Sequence, residues 1–135
     1  MTIQHLNPAG LLSFPGLSQV VVAAGSRLAF VAGQTACNAQ FEVVGGSSYH
    51  MQSTEALKHL KTAVEAAGAT VHQIVSSTVY LKNLTPEVAE QFVTALSSAL
   101  EGEPFPAHAF TMVGVQALAS PDVLVEISAV VALDA

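Results

Sequence analysis

The chain reads as an α+β protein, one mixed β-sheet with two helices packed on one of its faces. Three observations predict this. The run Val123-Leu124-Val125-Glu126-Ile127-Ser128-Ala129-Val130-Val131 is almost wholly apolar, which suits a strand covered on both faces. Two stretches, about Tyr49 to Ala67 and Thr85 to Ala99, place apolar residues along one side at helical spacing. The elements follow in the order strand, hairpin, helix, strand, helix, strand, strand, so the helices can cover one side of the sheet while the other is buried elsewhere.

Ile3 to Leu6 forms a first short strand, and Pro8-Ala9-Gly10 with Phe14-Pro15-Gly16 punctuates the loop after it. Leu17 to Ala23 and Arg27 to Ala32 read as two strands joined by a tight turn at Gly25-Ser26, hence a hairpin. Gly33-Gln34 ends the second strand, where a glycine lets another group approach the backbone closely. Thr35 to Gly46 is a polar loop with a short strand at Phe41 to Val44.

Either Ser47 or Ser48 caps the first helix, whose buried stripe is Ala56, Leu57, Leu60, Ala63, Val64 and Ala67, with Gly68 as its left-handed stop. Ile74 to Leu81 alternates and is rich in β-branched residues, so it is a strand. Thr85-Pro86-Glu87 opens the second helix with a cap, a proline at the first position and an acid in the first turn. Its stripe is Val88, Phe92, Ala95, Leu96 and Ala99. Ala107 to Val115 and Val123 to Val131 are the closing strands.

A chain of 135 residues without a linker is one domain, residues 1–135. Only 10% of residues are charged against 51% hydrophobic, too few to coat a small monomer, so apolar surface is expected to be hidden in an oligomer. One arginine and three lysines against ten acids, a net charge of −6, leave no footprint for a phosphate backbone, so no nucleic-acid partner is expected. Cys37 is the only cysteine, which rules out an internal disulfide. No apolar run reaches about 18 residues and no basic-then-apolar leader opens the chain, so the protein is expected to be cytoplasmic, with no membrane partner. His50, His59 and His72 share no zinc spacing, and no phosphate loop or dinucleotide fingerprint is present; neither metal nor cofactor is expected.

Phe105-Pro106-Ala107-His108, Val113-Gly114-Val115, Ser120-Pro121 and Leu124-Val125-Glu126-Ile127 together resemble the closing signature of the RidA/YjgF family. Gly33-Gln34, Gln52, Ala66-Ala67-Gly68-Ala69 and Val79-Tyr80-Leu81-Lys82-Asn83-Leu84 extend the resemblance over nearly the whole chain. It implies a chorismate-mutase-like α+β fold whose three copies join their sheets into a central barrel. It also implies hydrolysis of reactive enamines and imines in a pocket between subunits. The ribonuclease label given to some members finds no support in this charge balance.

In deaminating members an arginine after Pro-Ala grips the substrate carboxylate with two prongs, and a glutamate on the final strand positions water. Here the only arginine is Arg27, far from that motif. Matching Phe-Pro-Ala puts His108 in the arginine's place; matching Val113-Gly114-Val115 and Glu126 puts Phe110 there. In either register His108, Phe110 and Met112 share one strand face, giving an imidazole, a phenyl ring and a thioether. An imidazole can move a proton near neutral pH but cannot hold a carboxylate as arginine does, so a less anionic, more apolar ligand follows.

Glu126 is the first candidate for catalysis. A carboxyl buried in an apolar strand has its pKa raised and can act as acid, base or water-holder. His108 is the second. Ala32 stands where the family has a pocket serine, Gly33 offers a backbone amide, Leu17 falls where a pocket tyrosine is common, and Asn83 is a weaker candidate for ligand contact. The expectation is a homotrimer that binds a small, mostly apolar imine or enamine and hydrolyses or tautomerises it. A non-catalytic small-molecule-binding trimer of the same fold is the alternative.

Overall fold

The computed structural model describes residues 2–134. The strands are β1 (Ile3–Leu6), β2 (Val20–Ala23), β3 (Arg27–Gln34), β4 (Ile74–Lys82), β5 (Ala109–Val115) and β6 (Val125–Leu133); the helices are α1 (Tyr49–Ala66) and α2 (Pro86–Leu96). Four strands form one mixed sheet in the order β3-β6-β4-β5. β6 runs antiparallel to both β3 and β4, while β4 and β5 are parallel and joined through α2. Apart from the short strand expected at Phe41 to Val44, the strands and helices expected from sequence are present, with boundaries displaced by up to three residues.

The hairpin is the main correction. β2 does not pair with β3; it forms a separate two-stranded ribbon with β1, from Ile3↔Ala23 to Leu6↔Val20. Its entry is held beside β5, where Leu17 bridges His108 and the Ser18 amide donates to the His108 carbonyl at 2.9 Å. β3 instead pairs with β6 as an edge strand of the four-stranded sheet, so Gly25-Ser26 does not close a hairpin between β2 and β3. The strand expected at Phe41 to Val44 is reduced to a single bridge between Cys37 and Val43.

Both helices begin as their sequences direct. Ser48 accepts from the Met51 amide, and Thr85 accepts from the Val88 amide with Pro86 at the first position. Gly68, at φ +83°, stops α1. Leu57, Leu60 and Val64 of α1 and Phe92, Ala95 and Leu96 of α2 meet Val79, Leu81, Ile127 and Val131 of the sheet in one core. Buried Gln52 fastens α1 to the loop before β6: its Nε2 donates to the carbonyls of Gly46 and Asp122, and its Oε1 accepts from the Leu124 amide.

The second face of the sheet is open in the single chain. Along β6, Val125, Ile127, Ala129 and Val131 are buried under the helices, while Glu126, Ser128 and Val130 are half-buried on the other side. β6 is therefore covered on one face here, not on both. Phe30, 76% exposed, and Leu28 extend that open face along β3. No helix among the described residues is long and apolar enough to cross a membrane.

Candidate functional site

β5 sets the geometry of the site. Phe110 pairs with Ser77 and Met112 with Val79, and Ser77 and Val79 are buried toward the helices. His108, Phe110 and Met112 therefore share one face, as expected, and that face looks toward α2. Phe110 is its centre: its ring lies 6.1 Å from Phe14 and 6.2 Å from Phe92, both edge-on, and 5.8 Å from the His108 ring.

Over Phe110 and Met112 opens a cleft of about 720 Å³, within the size range of small-molecule sites. Its other walls are the loop carrying Leu12, Phe14 and Leu17, and one side of α2 with Ala89 and Val93. Glu90, Thr94 and Ser97 stand at its rim. Leu17, Phe110 and Met112 are thus brought together. Leu17 and Phe110 also border a second hollow of about 480 Å³ in which Ser76, Thr78 and Thr111 supply hydroxyls, so the concave surface continues around the β5 edge.

His108 lies beneath this cleft rather than in it. Its ring is 1% exposed and both nitrogens have protein partners. The Pro106 carbonyl, 3.0 Å from Nδ1, can only accept, so Nδ1 carries the proton. Nε2 then accepts from the Ser77 hydroxyl at 2.8 Å. Burial holds the ring's pKa below its ordinary 6.5; the Pro106 hydrogen bond opposes that and nearby His5 adds slightly to it. A neutral, saturated imidazole is a poor proton carrier. The His108 ring is thus enclosed, hydrogen-bonded at both nitrogens and packed beneath Phe110.

Glu126 faces the other way. It pairs with Tyr80 on β4, one strand face removed from Ser77 and His108. The structure does not bring the two expected catalytic residues together within one chain. Glu126 is half-buried rather than enclosed, and makes no hydrogen bond or ion pair among the described residues. Its side chain lies across Gly33, in the stretch where the β3–β6 register slips between Val31 and Gln34. A Cβ on Gly33 would fall 2.6 Å from Glu126 Cδ and 2.7 Å from Cγ, so the glycine exists for space.

Gly33→Ala is therefore expected to swing the flexible Glu126 carboxylate off the strand, with unfolding free energy changed by no more than about 0.5 kcal/mol. Denaturant melts check the stability, and a crystal structure of the variant checks the displacement.

Ala32 is exposed beside Gly33, and its carbonyl accepts from the Gln34 side chain at 3.0 Å. Asn83 ends β4 at φ +49°, its amide donating to the Val115 carbonyl at 2.9 Å, and it lines neither hollow described above. That position is a turn, which asparagine tolerates well.

Sequence reasoning missed the loop wall at Leu12, Phe14 and Pro15 and the α2 wall at Ala89, Glu90, Val93 and Thr94. A signal was present. Ala89 and Val93 widen the apolar stripe of α2 beyond the core-facing residues, and a stripe wider than one sheet contact needs another apolar neighbour.

A family model described as Endoribonuclease L-PSP matches residues 11–133. The structure of YyfB from Yersinia pestis, a Rid-family protein of unknown function, is 34% identical over 98% of this chain and 100% of that one, with a TM-score of 0.83. Rv2704 from Mycobacterium tuberculosis, a member of the YjgF/YER057c/UK114 family, is 26% identical over 98% of this chain and 100% of that one, with a TM-score of 0.58. Yeast Mmf1, 17% identical over 98% of this chain and 100% of that one, shares the fold at a TM-score of 0.66. A comparison with curated proteins returns no match. With its two helices on one face of a mixed sheet and the family signature over almost its entire length, the chain belongs to the endoribonuclease L-PSP family, the Rid/YjgF group.

Proposed function

We propose that the protein is a homotrimer that hydrolyses or tautomerises a small, mostly apolar imine or enamine in pockets completed between its copies. One observation carries this reading. The apolar cleft with Leu17, Phe110 and Met112 and the unpartnered Glu126 carboxylate lie on opposite faces of one sheet, so a ligand touching both needs two copies. The exposed Phe30 and Leu28 and the two open sheet edges, β3 and β5, supply apolar and hydrogen-bonding surface for such an assembly.

In hydrolysis, water adds to the carbon of a protonated C=N bond, and the resulting carbinolamine breaks its C–N bond. An iminium ion and one water become a carbonyl compound and an ammonium ion, with no redox change. Glu126 orients the water and takes its proton during attack, then returns it to the departing nitrogen. The cleft holds the apolar body, and the amide of Gly33 stabilises charge as it develops. His108 is kept out of the proton path by its two hydrogen bonds. Four basic residues against ten acidic ones disfavour a polyanionic substrate such as RNA.

A second reading, ligand binding without turnover, is favoured by the cleft itself, where no histidine or basic side chain lines the wall among the described residues. One experiment separates the two. An imine is generated in place by an oxidase, and ammonia release is followed with and without the protein, across concentrations that span assembly measured by light scattering. Acceleration that rises with the assembled fraction supports the hydrolase; a ligand-induced rise in melting temperature without acceleration supports binding alone. A chain that stays single at every concentration removes the pocket between copies.

A further inference from the structure

We infer that the apolar cleft over Phe110 takes a cationic ligand without a carboxylate, an aryl- or alkyl-substituted ammonium or iminium ion whose charge rests against Glu90. The inference depends on the cleft being the ligand-binding half of the site, and adds to that reading the sign of the ligand's charge.

Glu90 is the only ionisable side chain among the described residues that line the cleft. It stands on the exposed side of α2, with Thr94 one turn and Ser97 two turns further on, so the three share one edge of the helix beside the apolar Ala89 and Val93. Glu90 makes no hydrogen bond or ion pair among the described residues. The Ser97 hydroxyl is already committed, donating to the Thr94 carbonyl at 2.6 Å.

The four cationic side chains of the chain are engaged elsewhere. Arg27 donates to the Asp134 carbonyl at 3.1 and 3.2 Å, and Lys82 to the Pro121 carbonyl at 2.8 Å. Lys58 and Lys61 pair along α1 with Glu55 and Glu65. None reaches the cleft to neutralise Glu90 or to meet an anionic ligand. A second hollow continues from Glu90 and Thr94 to Gln91, His50 and a further carboxylate, Glu87, which adds negative charge on this side of α2.

An apolar wall ending in a lone carboxylate fits an apolar body ending in a positive charge. An amino-acid-derived imine would instead bring its own carboxylate against Glu90, with no cation to offset the repulsion. Discrimination therefore comes from repulsion of the anion as much as attraction of the cation.

The test is calorimetric titration of the full chain, at neutral pH and low salt, with three probes built on one phenethyl body: phenethylamine, phenethyl alcohol and hydrocinnamate. The amine is expected to bind about two- to fivefold more tightly than the alcohol, as a partly solvated charge pair allows, and hydrocinnamate more weakly than either. Glu90→Gln is expected to make amine and alcohol equal and to restore some hydrocinnamate binding; because Glu90 is exposed, a melting curve suffices to check that the variant folds. Equal binding of amine and alcohol to the unmodified chain, or an amine preference unchanged in Glu90→Gln, overturns the inference and leaves the cleft as a ligand site. Failure of all three probes to bind overturns both.

Discussion

Replacing Glu126 by glutamine is expected to slow imine hydrolysis by about 100-fold or more, the range spanned by loss of a general base, while stability changes by no more than about 0.5 kcal/mol. The two halves of this expectation come from the same geometry. Glutamine has the shape of glutamate, so the packing across Gly33 survives. No hydrogen bond or ion pair to Glu126 is lost, because it has none among the described residues. What disappears is the capacity to take a proton from water. Ammonia release from an imine formed in place measures the first half, and denaturant melts the second. The Gly33→Ala variant sharpens the comparison, since it keeps the carboxylate and moves it. If position matters, Gly33→Ala loses rate with Glu126 present and loses nothing further once Glu126→Gln is made. A Glu126→Gln protein that hydrolyses imine at the unmodified rate would remove this residue from the mechanism.

The fold was legible in the sequence wherever local chemistry and burial point the same way. Thr85-Pro86-Glu87 specifies a helix start by itself, and the stripe Val88, Phe92, Ala95, Leu96 tells which side of α2 is buried. Gly68 likewise stops α1 with the left-handed turn only glycine takes easily. The hairpin failed because strand pairing is not local. Gly25-Ser26 between two β-rich runs looks like a turn, but the partner of β2 is decided by β1 and by the hold of Ser18 on the His108 carbonyl, contacts far along the chain.

The site was legible in kind but not in place. Alternation along β5 correctly grouped His108, Phe110 and Met112 on one face, yet nothing in that pattern tells whether the face meets solvent, a helix or another copy. Only packing shows that His108 lies under Phe110, that Phe14 comes over from the loop, and that Glu126 belongs to the opposite side.

Truncating His108 to alanine is expected to lower unfolding free energy by about 3 kcal/mol at neutral pH, through a cavity beneath Phe110 and two polar groups left without partners. The Ser77 hydroxyl and the Pro106 carbonyl are those groups. The loss is a matter of packing, so hydrolysis per folded molecule should fall far less than in Glu126→Gln. pH dependence separates the readings further. In the folded chain the His108 ring is held neutral by burial, its pKa below 6.5, whereas the unfolded chain titrates near the ordinary value. Below about pH 6.5 the unfolded state therefore binds a proton that the folded state does not, and stability falls as pH falls, by up to about 1.4 kcal/mol per pH unit, until the folded ring itself titrates. Above that window the slope from His108 vanishes. His50, His59 and His72 are present in both proteins, so denaturant melts at fixed protein concentration, compared between unmodified chain and His108→Ala through this range, isolate the contribution of His108 together with its interaction with nearby His5. The unmodified chain should lose stability on acidification more steeply, and the difference between the two should shrink as pH drops. A constant difference across the window would mean that His108 is not held neutral in the fold, and would return it to the list of groups able to move a proton.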